Sequence, residues 1–306
     1  MGKSLEVKNL VKKFGSKSAL EDVSFTVKEG SCFGLLGPNG AGKSTTMKII
    51  TGIINADNGQ VSMFGQDLRK STEQIRQQIG YVPQEITLYE KISAFNNLVF
   101  FGEMYGVKGK KLKERISVVL EQVGLNERAN DPIHTYSGGM KRRINIAAAL
   151  LHDPKLVILD EPTVGIDPQS RNHIFEIIRS LRSDGVTIMY STHYMEEVEA
   201  LCDDIAIIDN GKVIVQGDLN ELLQLYATKA IYVELENGHQ PPNFPEIKKK
   251  SDYKKGWLLE TEDVLSSMEK IVHTFNAEGT VVKALEIMKP SLESVFLSLT
   301  GTSLRD

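Results

Sequence analysis

The stretch from residue 31 to residue 46 constrains the fold of this chain more than any other part of it. An apolar run, Phe33 to Leu36, predicts a buried strand, which leads through a glycine-rich loop into a predicted helix. The pattern G-x-x-x-x-G-K-[ST] is met in order by Gly37, Gly42, Lys43 and Ser44. We therefore predict a phosphate-binding loop, with a turn that only joins strand to helix as the alternative interpretation.

Each part of this loop suits the binding of a nucleoside triphosphate. Glycines let the backbone curl so that successive N–H groups form a concave nest for phosphate oxygens, and the helix N-terminus adds its partial positive charge there. The Lys43 ammonium can reach the β- and γ-phosphates, and the Ser44 hydroxyl can ligate Mg²⁺. The residues that we expect to contact the nucleotide are Gly37, Pro38, Asn39, Gly40, Ala41, Gly42, Lys43, Ser44 and Thr45.

Composition limits the class of protein. With 306 residues, the chain is long enough for one large domain and a smaller one, and its net charge of −4 argues against a nucleic-acid partner. Cys32 and Cys202 lie in apolar segments without CxxC spacing, which predicts reduced core residues of a cytosolic protein. The N-terminus has no signal-peptide pattern, and no apolar run reaches the roughly 20 residues of a membrane span. If the protein works at a membrane, we expect another chain to hold it there.

Residues 1–220 predict an α/β core with a helical insertion at about 91–150. Strands are predicted at 3–8, 23–27, 59–65, 79–83, 155–159 and 186–191, and in a 204–215 hairpin that turns at 209–211. Helices are predicted at 94–105, 112–123, 139–151, 168–183 and 194–201. Four consecutive apolar residues in the 155–159 strand are typical of a parallel sheet.

Residues 226–306 predict a small C-terminal α+β accessory domain. Strand, strand, helix, strand and helix signals follow at 230–236, 257–262, 263–275, 280–287 and 291–299. The intervening stretch 237–256 is rich in Pro, Asn, Lys and Gly, so we interpret lysines 248–250 and 254–255 as a solvated loop, with an anionic membrane surface as the alternative. The predicted fold class is therefore α/β, a P-loop NTPase core with an antiparallel β subdomain and a helical insertion, followed by this accessory domain.

Four polar residues follow predicted strands and meet the needs of nucleotide hydrolysis. Asp160 ends a buried strand and is the expected Mg²⁺ carboxylate, and Glu161 can deprotonate the attacking water. His193 reaches the same sheet edge, where its imidazole can contact the γ-phosphate, and Gln84 can ligate Mg²⁺ or the water. A solvated strand-end cap is the alternative for the carboxylate pair. The remaining histidines are interpreted as packed or surface residues: His134, His152, His173, His239 and His273.

A second anion cradle is predicted at Ser137-Gly138-Gly139. A serine that caps a helix and is followed by two glycines leaves bare N–H groups beside a helix dipole. One nucleotide site rarely needs two such cradles from the same chain. Phe14, in the loop ahead of the phosphate loop, is either an adenine-stacking aromatic or a packing residue.

Together these motifs resemble those of the ABC-transporter ATPase family over about residues 3–220. The resemblance rests on the phosphate loop at 37–45, Gln84, Ser137 to Gly139, Leu156 to Glu161, Val164 to Asp167, and His193, all in the family's order. It implies that Phe14 stacks on adenine and that Gln84 begins the loop that senses the membrane subunit. It also implies that Ser137 to Gly139 contact the γ-phosphate bound on the opposite chain, and that Asp167 lies in the loop that crosses the dimer interface.

The sequence departs from the family pattern at three positions. Tyr136 replaces the usual leucine, Met140 the usual glutamine and Ile166 a leucine. The serine and both glycines are intact, so the phosphate contact is still implied, whereas a ribose contact from a glutamine at position 140 is not. The segment Pro290 to Gly301 resembles the C-terminal segment of bacterial drug-resistance exporter ATPases of the daunorubicin-exporter type, in which the membrane part is a separate polypeptide.

The resemblance implies the ATPase subunit of an exporter. Two chains, as a homodimer, would sandwich two ATP molecules with Mg²⁺ and work at the cytoplasmic face of the membrane on a separate transmembrane permease subunit. A soluble ABC ATPase acting in DNA repair or on ribosomes is the main alternative, and a regulatory module without turnover is another. A P-loop GTPase would need [NT]-K-x-D, which Thr228-Lys229-Ala230-Ile231 does not supply.

Overall fold

The computed structural model describes residues 2–226, 229–236 and 240–300, without the side chains of residues 297 and 300. His239, Thr228 and Gly301, which entered the sequence predictions, lie outside the described residues. The chain divides into two compact units, one ending at Leu219 and one beginning at Asn220. Each unit is described by itself.

The first unit contains an antiparallel sheet in the order β2-β1-β4-β5. Its strands are β1 (Lys3–Phe14), β2 (Lys17–Lys28), β4 (Asn58–Met63) and β5 (Gln66–Asp67). The predicted strands 3–8 and 23–27 were too short, and the placement of Phe14 in a loop was wrong, because Phe14 ends β1 and pairs with Lys17. Register shifts in this pair, one of them between Val7 and Leu10, break the strict alternation of apolar residues that a sequence pattern can detect.

The second sheet of this unit carries the phosphate loop, and its order is β10-β9-β3-β8-β7-β6. Its strands are β3 (Cys32–Leu36), β6 (Ile79–Val82), β7 (Leu156–Asp160), β8 (Thr187–Thr192), β9 (Asp204–Asp209) and β10 (Lys212–Asp218). All neighbours are parallel except β9 and β10. Every residue of β3, β7 and β8 is buried, as the apolar runs predict. The carboxyl ends of the parallel strands therefore meet at one edge.

Seven helices are described in this unit. They are α1 (Lys43–Ile50), α2 (Thr72–Arg76), α3 (Ala94–Met104), α4 (Gly109–Gln122), α5 (Gly138–Leu150), α6 (Pro168–Ser183) and α7 (Met195–Leu201), with short 3₁₀ turns at Asn126–Arg128 and Ile133–Thr135. Side chains at the predicted N-caps of α5 and α6 accept backbone hydrogen bonds, Ser137 from Met140 and Asp167 from Ser170. The sequence missed α2, which buries only Ile75 and so shows no apolar period.

The two cysteines are both buried, as predicted, and the structure adds that they are in contact. Their Sγ atoms lie 3.8 Å apart, one at the start of β3 and the other just after α7. The contact with Cys32 and burial raise the pKa of the Cys202 thiol, which favours the protonated form of Cys202.

The second unit contains an antiparallel sheet in the order β12-β13-β11-β14. Its elements are β11 (Ala230–Leu235), β12 (Ile247–Tyr253), β13 (Gly256–Thr261), α9 (Val264–Glu278), β14 (Val282–Met288) and α10 (Leu292–Thr300), and a further helix, α8, spans Leu219–Tyr226. Helix α9 packs against β11 through a core that includes Val233, Leu259 and Phe275. The predicted α/β fold class, with its helical insertion and C-terminal α+β part, is confirmed.

One prediction in this unit was wrong. Lysines 248–250 belong to the edge strand β12 rather than to a solvated loop. Lys249 pairs with Glu260 and Lys250 with Leu259 of β13, after a register shift between Ile247 and Lys249. Edge strands often carry lysines, because these side chains oppose pairing with a further strand. The lysine-rich composition of β12 therefore resembles that of a solvated loop, and this is why the sequence prediction was wrong. None of the described helices has both the length and the apolar character needed to cross a bilayer.

Candidate active site

The glycine-rich loop runs from the end of β3 to the start of α1 and needs glycine at its last position. Gly42 is the N-cap of α1 with φ of 112°, a conformation that L side chains rarely adopt. A Cβ at Gly42 would also lie 2.6 Å from Leu20 Cδ2 and 2.9 Å from the Ala19 carbonyl oxygen. The loop and β2 therefore approach each other too closely for any side chain at this position.

A cavity of about 380 Å³ lies over this loop. Its lining contains Phe14, Lys17, Ala19, Asn39, Gly40, Gly42, Lys43, Ser44, Thr45, Gln84 and Glu161. Phe14 is 54% exposed, and Lys12 Nζ lies over one face of its ring, 5.4 Å from the centroid. Sequence reasoning missed Lys17 and Ala19, which lie on the strand that follows Phe14.

Lys43 is buried, and each of its nearest partners is part of the predicted site. Its Nζ donates to the carbonyl oxygens of Gly37 at 2.7 Å and Pro38 at 3.1 Å. It also lies 3.1 Å from Glu161 Oε1, which is buried as well. The ammonium is thus held between the phosphate loop and the carboxylate at the end of β7.

Glu161 is the point at which the predicted catalytic residues meet. Gln84 Nε2 donates to Glu161 Oε2 at 3.2 Å, and His193 Nδ1 lies 3.5 Å from the same oxygen. The backbone of Glu161 has φ of 46°, which costs about 1–3 kcal/mol for a non-glycine residue. Its N–H donates to Ser191 Oγ at 3.1 Å, which helps to hold this conformation.

Asp160 and Ser44 form an oxygen site beside Glu161. Ser44 Oγ donates to Asp160 Oδ1 at 3.2 Å, and Ser191 Oγ donates to the same oxygen at 2.7 Å. Burial raises the pKa of Asp160 above its ordinary value, the hydrogen bonds from Ser191 and Ser44 oppose the shift, and Glu161 adds to it. A buried carboxylate next to a hydroxyl supplies the hard oxygen ligands that Mg²⁺ prefers, so these residues fit that ion. Within the described ranges, no cluster of three His, Cys, Asp or Glu side chains offers a metal site of another kind.

Sequence reasoning missed Ser191 as a member of this site. Its hydroxyl links Asp160 to the Glu161 backbone because β7 and β8 pair in a register that sets Asp160 against Ser191. The sequence signal that could have indicated Ser191 is its position near the end of the strand that leads to His193, two residues before that histidine.

The remaining predicted residues form a second group outside the cavity lining. Ser137 and Gly138 are exposed at the N-terminus of α5, and Asp167 is exposed at the N-terminus of α6. A Cβ at Gly139 would lie 2.0 Å from Ser170 Oγ and 3.7 Å from Asp167 Oδ2, so the two helix starts are in close contact. In the structure, Ser137 to Gly139 therefore lie beside Asp167, and they do not line the cavity around Lys43.

The departure at Tyr136 has a structural explanation. The side chain is buried, its hydroxyl donates to the Arg128 carbonyl oxygen at 2.5 Å, and the Arg128 guanidinium lies 5.2 Å from its ring centroid. The larger residue is therefore packed and hydrogen-bonded without disturbing the cap at Ser137.

Two family models match this chain. Residues 20–164 match the model described as ABC transporter, and residues 217–300 match the C-terminal domain of DrrA1-3-like ATP-binding proteins. The first match includes the phosphate loop, Gln84, Ser137 to Gly139 and Glu161.

Relatives match over nearly the whole chain. The linearmycin resistance ATP-binding protein LnrL of Bacillus subtilis is 46% identical over 310 residues, which cover 99% of this chain and 100% of the relative. The Nod factor export ATP-binding protein I of Sinorhizobium fredii is 37% identical over 303 residues, covering 99% and 88%.

Solved structures match the first unit's fold. An ATP-binding subunit of an ABC transporter is 34% identical with a TM-score of 0.65, covering 72% of this chain and 92% of its own. A dimeric ATP-binding cassette in a post-hydrolysis state, bound to ADP and phosphate, is 27% identical with a TM-score of 0.64, covering 70% and 98%.

Proposed function

Since this chain belongs to the family of ABC transporter ATP-binding subunits, we propose that two copies share two ATP molecules and power export through a separate membrane protein. The chain is an ATPase of this family. The observation that carries the proposed roles is the meeting of Lys43, Gln84 and His193 around Glu161. We assign residues 1–220 to the ATPase domain, with its helical part at about 91–150, and 226–306 to an accessory domain.

In the proposed reaction, Glu161 accepts a proton from the water that attacks the γ-phosphorus, and ADP leaves with the electrons of the broken P–O bond. His193 and Gln84, both beside Glu161 Oε2, orient that water and the γ-phosphate. Lys43 offsets the negative charge that develops on the phosphate oxygens. Mg²⁺ would be held by Ser44 and Asp160, with Gln84 as a further ligand, and would neutralise phosphate charge.

The nucleotide base and the loop complete the proposed site. Phe14 would stack on adenine, because its ring lines the cavity and is half exposed. Backbone N–H groups of the loop would surround the phosphates. The residues in this role are Gly37, Pro38, Asn39, Gly40, Ala41, Gly42, Lys43, Ser44 and Thr45.

The second group of residues supports a shared site. Ser137 to Gly139 form an exposed anion cradle that lines no part of the cavity around Lys43. We therefore assign them to the γ-phosphate held by the other copy, and Asp167 to the interface beside them. A solved dimeric relative, bound to ADP and phosphate, supports this arrangement. The dimer would be head-to-tail, so that each site takes its loop from one chain and its cradle from the other.

An exposed apolar patch supports a membrane partner. Tyr89, Ile92, Phe100 and Met104 are all exposed, and the Tyr89 and Phe100 rings pack edge to face at 5.0 Å. Clusters of this kind on a soluble surface mark interaction sites. We propose that a separate transmembrane permease subunit docks here and holds the protein at the cytoplasmic face of the membrane, with no nucleic-acid partner. Relatives named for linearmycin resistance and Nod factor export support export as the direction.

The Glu161→Gln variant tests this function. It removes the base but keeps a side chain of the same shape, so we expect ATP binding to remain, phosphate release to stop and a dimer to accumulate with ATP. Phosphate release and size-exclusion chromatography measure these outcomes. Glu176→Gln, an exposed change on α6, is the matched control and should behave as the wild type does. A Glu161→Gln protein that stays monomeric at saturating ATP contradicts the shared-site dimer.

A further inference from the structure

Helix α5, which begins at the exposed cradle, also holds the segment that carries Gln84. We call residues 83–90 the Gln84 segment. Arg142, on the second turn of α5, is 5% exposed, and its guanidinium donates from Nη1 to the Pro83 carbonyl oxygen at 2.9 Å and from Nη2 to the Gln84 carbonyl oxygen at 2.6 Å. These two carbonyls flank the Gln84 Cα atom, so the pair of bonds fixes the backbone from which the Gln84 side chain leaves.

Two further side chains of α5 hold the same segment. Asn145 Oδ1 accepts from Thr87 Oγ1 at 2.9 Å, and Lys141 Nζ lies 2.5 Å from Glu90 Oε1. The contacts recur along one helix at positions 141, 142 and 145, which face one side of it. A rigid-body movement of α5 therefore carries the whole Gln84 segment with it.

The Arg142 side chain is costly to bury, so its position calls for an interaction that compensates for the cost. Burial lowers the pKa of the Arg142 guanidinium, although the nearby charge of Asp160 opposes this shift. Its Nε is buried without a hydrogen-bond partner among the described residues. Buried polar groups of this kind carry a penalty that apolar packing avoids. What the arginine provides is the two-point hold on the Gln84 backbone.

We propose that Arg142 is a positioning residue that sets the Gln84 side chain against Glu161 and ties its position to the cradle at Ser137 to Gly139. This inference rests on the proposed function, in which Gln84 acts at its own chain's nucleotide and the cradle at the partner's. When the cradle at the start of α5 binds the γ-phosphate held by the partner chain, α5 then shifts the position of the Gln84 side chain in its own chain. One continuous helix, Gly138–Leu150, thus connects the two nucleotide sites of the dimer.

Arg142→Met tests this role against a control on the same helix. Because the lost bonds hold Gln84 and not the nucleotide, we expect kcat to fall about tenfold or more while the KM for ATP changes less than about twofold. Arg143→Met is the control. Arg143 Nη1 also donates to a carbonyl oxygen, that of Val123 at 2.8 Å, but among the described residues its bond is not to the Gln84 segment, so kcat should stay within about twofold of the wild type. Equal losses of kcat in the two variants, with equal losses in thermal stability, overturn the proposal.

A double-mutant cycle tests whether Arg142 acts through Gln84. If Arg142 acts through Gln84, adding Arg142→Met to Gln84→Ala lowers kcat by less than about a further twofold, because the side chain that Arg142 positions is already absent. Multiplicative losses overturn the proposal and leave the proposed function standing. A Gln84→Ala protein with wild-type kcat instead refutes the role of Gln84 and this inference with it. If Arg142→Met does not fold, Arg142→Lys replaces it in the same cycle, since lysine keeps the charge but presents its donors from a single nitrogen and lacks the planar fork that reaches both carbonyls.

Discussion

Gly139 shows how a single residue sets the distance between two helices. Gly139 lies against Ser170 at the start of α6. There is no room for a side chain at position 139, because a Cβ there would lie 2.0 Å from Ser170 Oγ. Ser170 Oγ in turn donates to Asp167 Oδ2 at 2.6 Å, so this serine cannot turn away without losing its bond to the cap. The cradle and the Asp167 loop keep their relative position through this contact.

We therefore expect Gly139→Ala to destabilise the protein by about 1–3 kcal/mol, the usual effect of overpacking a close contact. Urea denaturation measures the free energy of unfolding. Gly138→Ala is the matched control, because a Cβ at Gly138 has no neighbour within 4 Å, and it should change stability by less than about 0.5 kcal/mol. Equal stabilities of the two variants would show that α5 and α6 separate without cost.

His152 predicts a pH dependence of stability. Its ring stacks on Tyr105 with centroids 3.8 Å apart and its Nε2 donates to the Ile79 carbonyl oxygen at 2.9 Å. Burial lowers the pKa of His152 below its ordinary value of 6.5, the bond to Ile79 opposes the shift, and the charges of Arg115 and Asp153 act in opposite directions. Below pH 6.5 the unfolded chain therefore binds the proton more tightly than the folded one.

The free energy of unfolding should consequently fall as the pH drops through 6.5 towards the lower folded-state pKa, and it should be unaffected by His152 at higher pH. Urea denaturation at a series of pH values, for the wild type and His152→Gln, measures this. The variant keeps a donor for the Ile79 carbonyl but cannot titrate, so part of the slope should vanish. Identical slopes in the two proteins contradict a lowered pKa at this residue.

At the scale of elements, the sequence patterns predict strands with continuous apolar runs well. They predict poorly those strands whose extent depends on pairing with a neighbour. The apolar runs of β3 and β7 need no partner to be recognised, and the caps of α5 and α6 are local chemistry. The full extent of β1 depends on bulges in its pairing with β2, and β12 has the lysines of an edge strand. Ser191 joins the site only through the register of β7 with β8, which a local pattern does not specify.

One buried carboxylate connects the loop after β7 with the end of β8. Glu197 Oε2, on α7, accepts hydrogen bonds from Thr163 Oγ1 at 3.0 Å, Tyr190 Oη at 2.9 Å and Thr192 Oγ1 at 2.8 Å. Thr163 follows Glu161 by two residues and Thr192 precedes His193. The Glu197 carboxylate therefore holds the two loops that bring the candidate catalytic residues Glu161 and His193 together.

Replacing Glu197 with leucine should cost about 2–4 kcal/mol, because three buried hydroxyls lose their common acceptor. Glu197→Gln keeps a carbonyl acceptor and should cost less. Thermal and urea denaturation measure both, with Glu196→Gln, an exposed change on the same helix, as the control that leaves stability nearly unchanged. If Glu197→Leu is as stable as the control, the hydroxyls have other partners and the two loops are held by something else.

At the scale of the whole molecule, the candidate residues form two groups that do not make one site within a chain. Lys43, Gln84 and Glu161 line one cavity, and His193 lies beside Glu161. Ser137 and Gly138, by contrast, are exposed near Asp167 and line no part of that cavity. The sequence predicted both groups by local motifs and by family resemblance, because phosphate cradles depend on backbone conformation over a few residues. The resemblance also implied that the second group serves the nucleotide of another chain, and the structure adds that this group lines no part of the first group's cavity.

A complementation experiment uses this separation. Lys43→Ala disables a chain's own loop, and Gly138→Asp places a carboxylate in the cradle at a position where a side chain meets no neighbour within 4 Å. Each variant alone should be nearly inactive. In a head-to-tail dimer of one copy of each, the intact loop of the second faces the intact cradle of the first. A randomly mixed sample should therefore recover about a quarter of wild-type phosphate release, since about half of the dimers are mixed and each has one complete site.

The control for this recovery is a mixture of Lys43→Ala with Lys43→Ala, Gly138→Asp double-variant chains, which contains no complete site and should stay inactive. Two different affinity tags, one on each variant, let mixed dimers be isolated and their formation verified before activity is measured. Because each complete site needs both chains, the recovered activity should also vanish on dilution below the dimer dissociation constant. Isolated mixed dimers that remain inactive would mean that the cradle and the loop do not meet across an interface, and the dimer model would have to be abandoned.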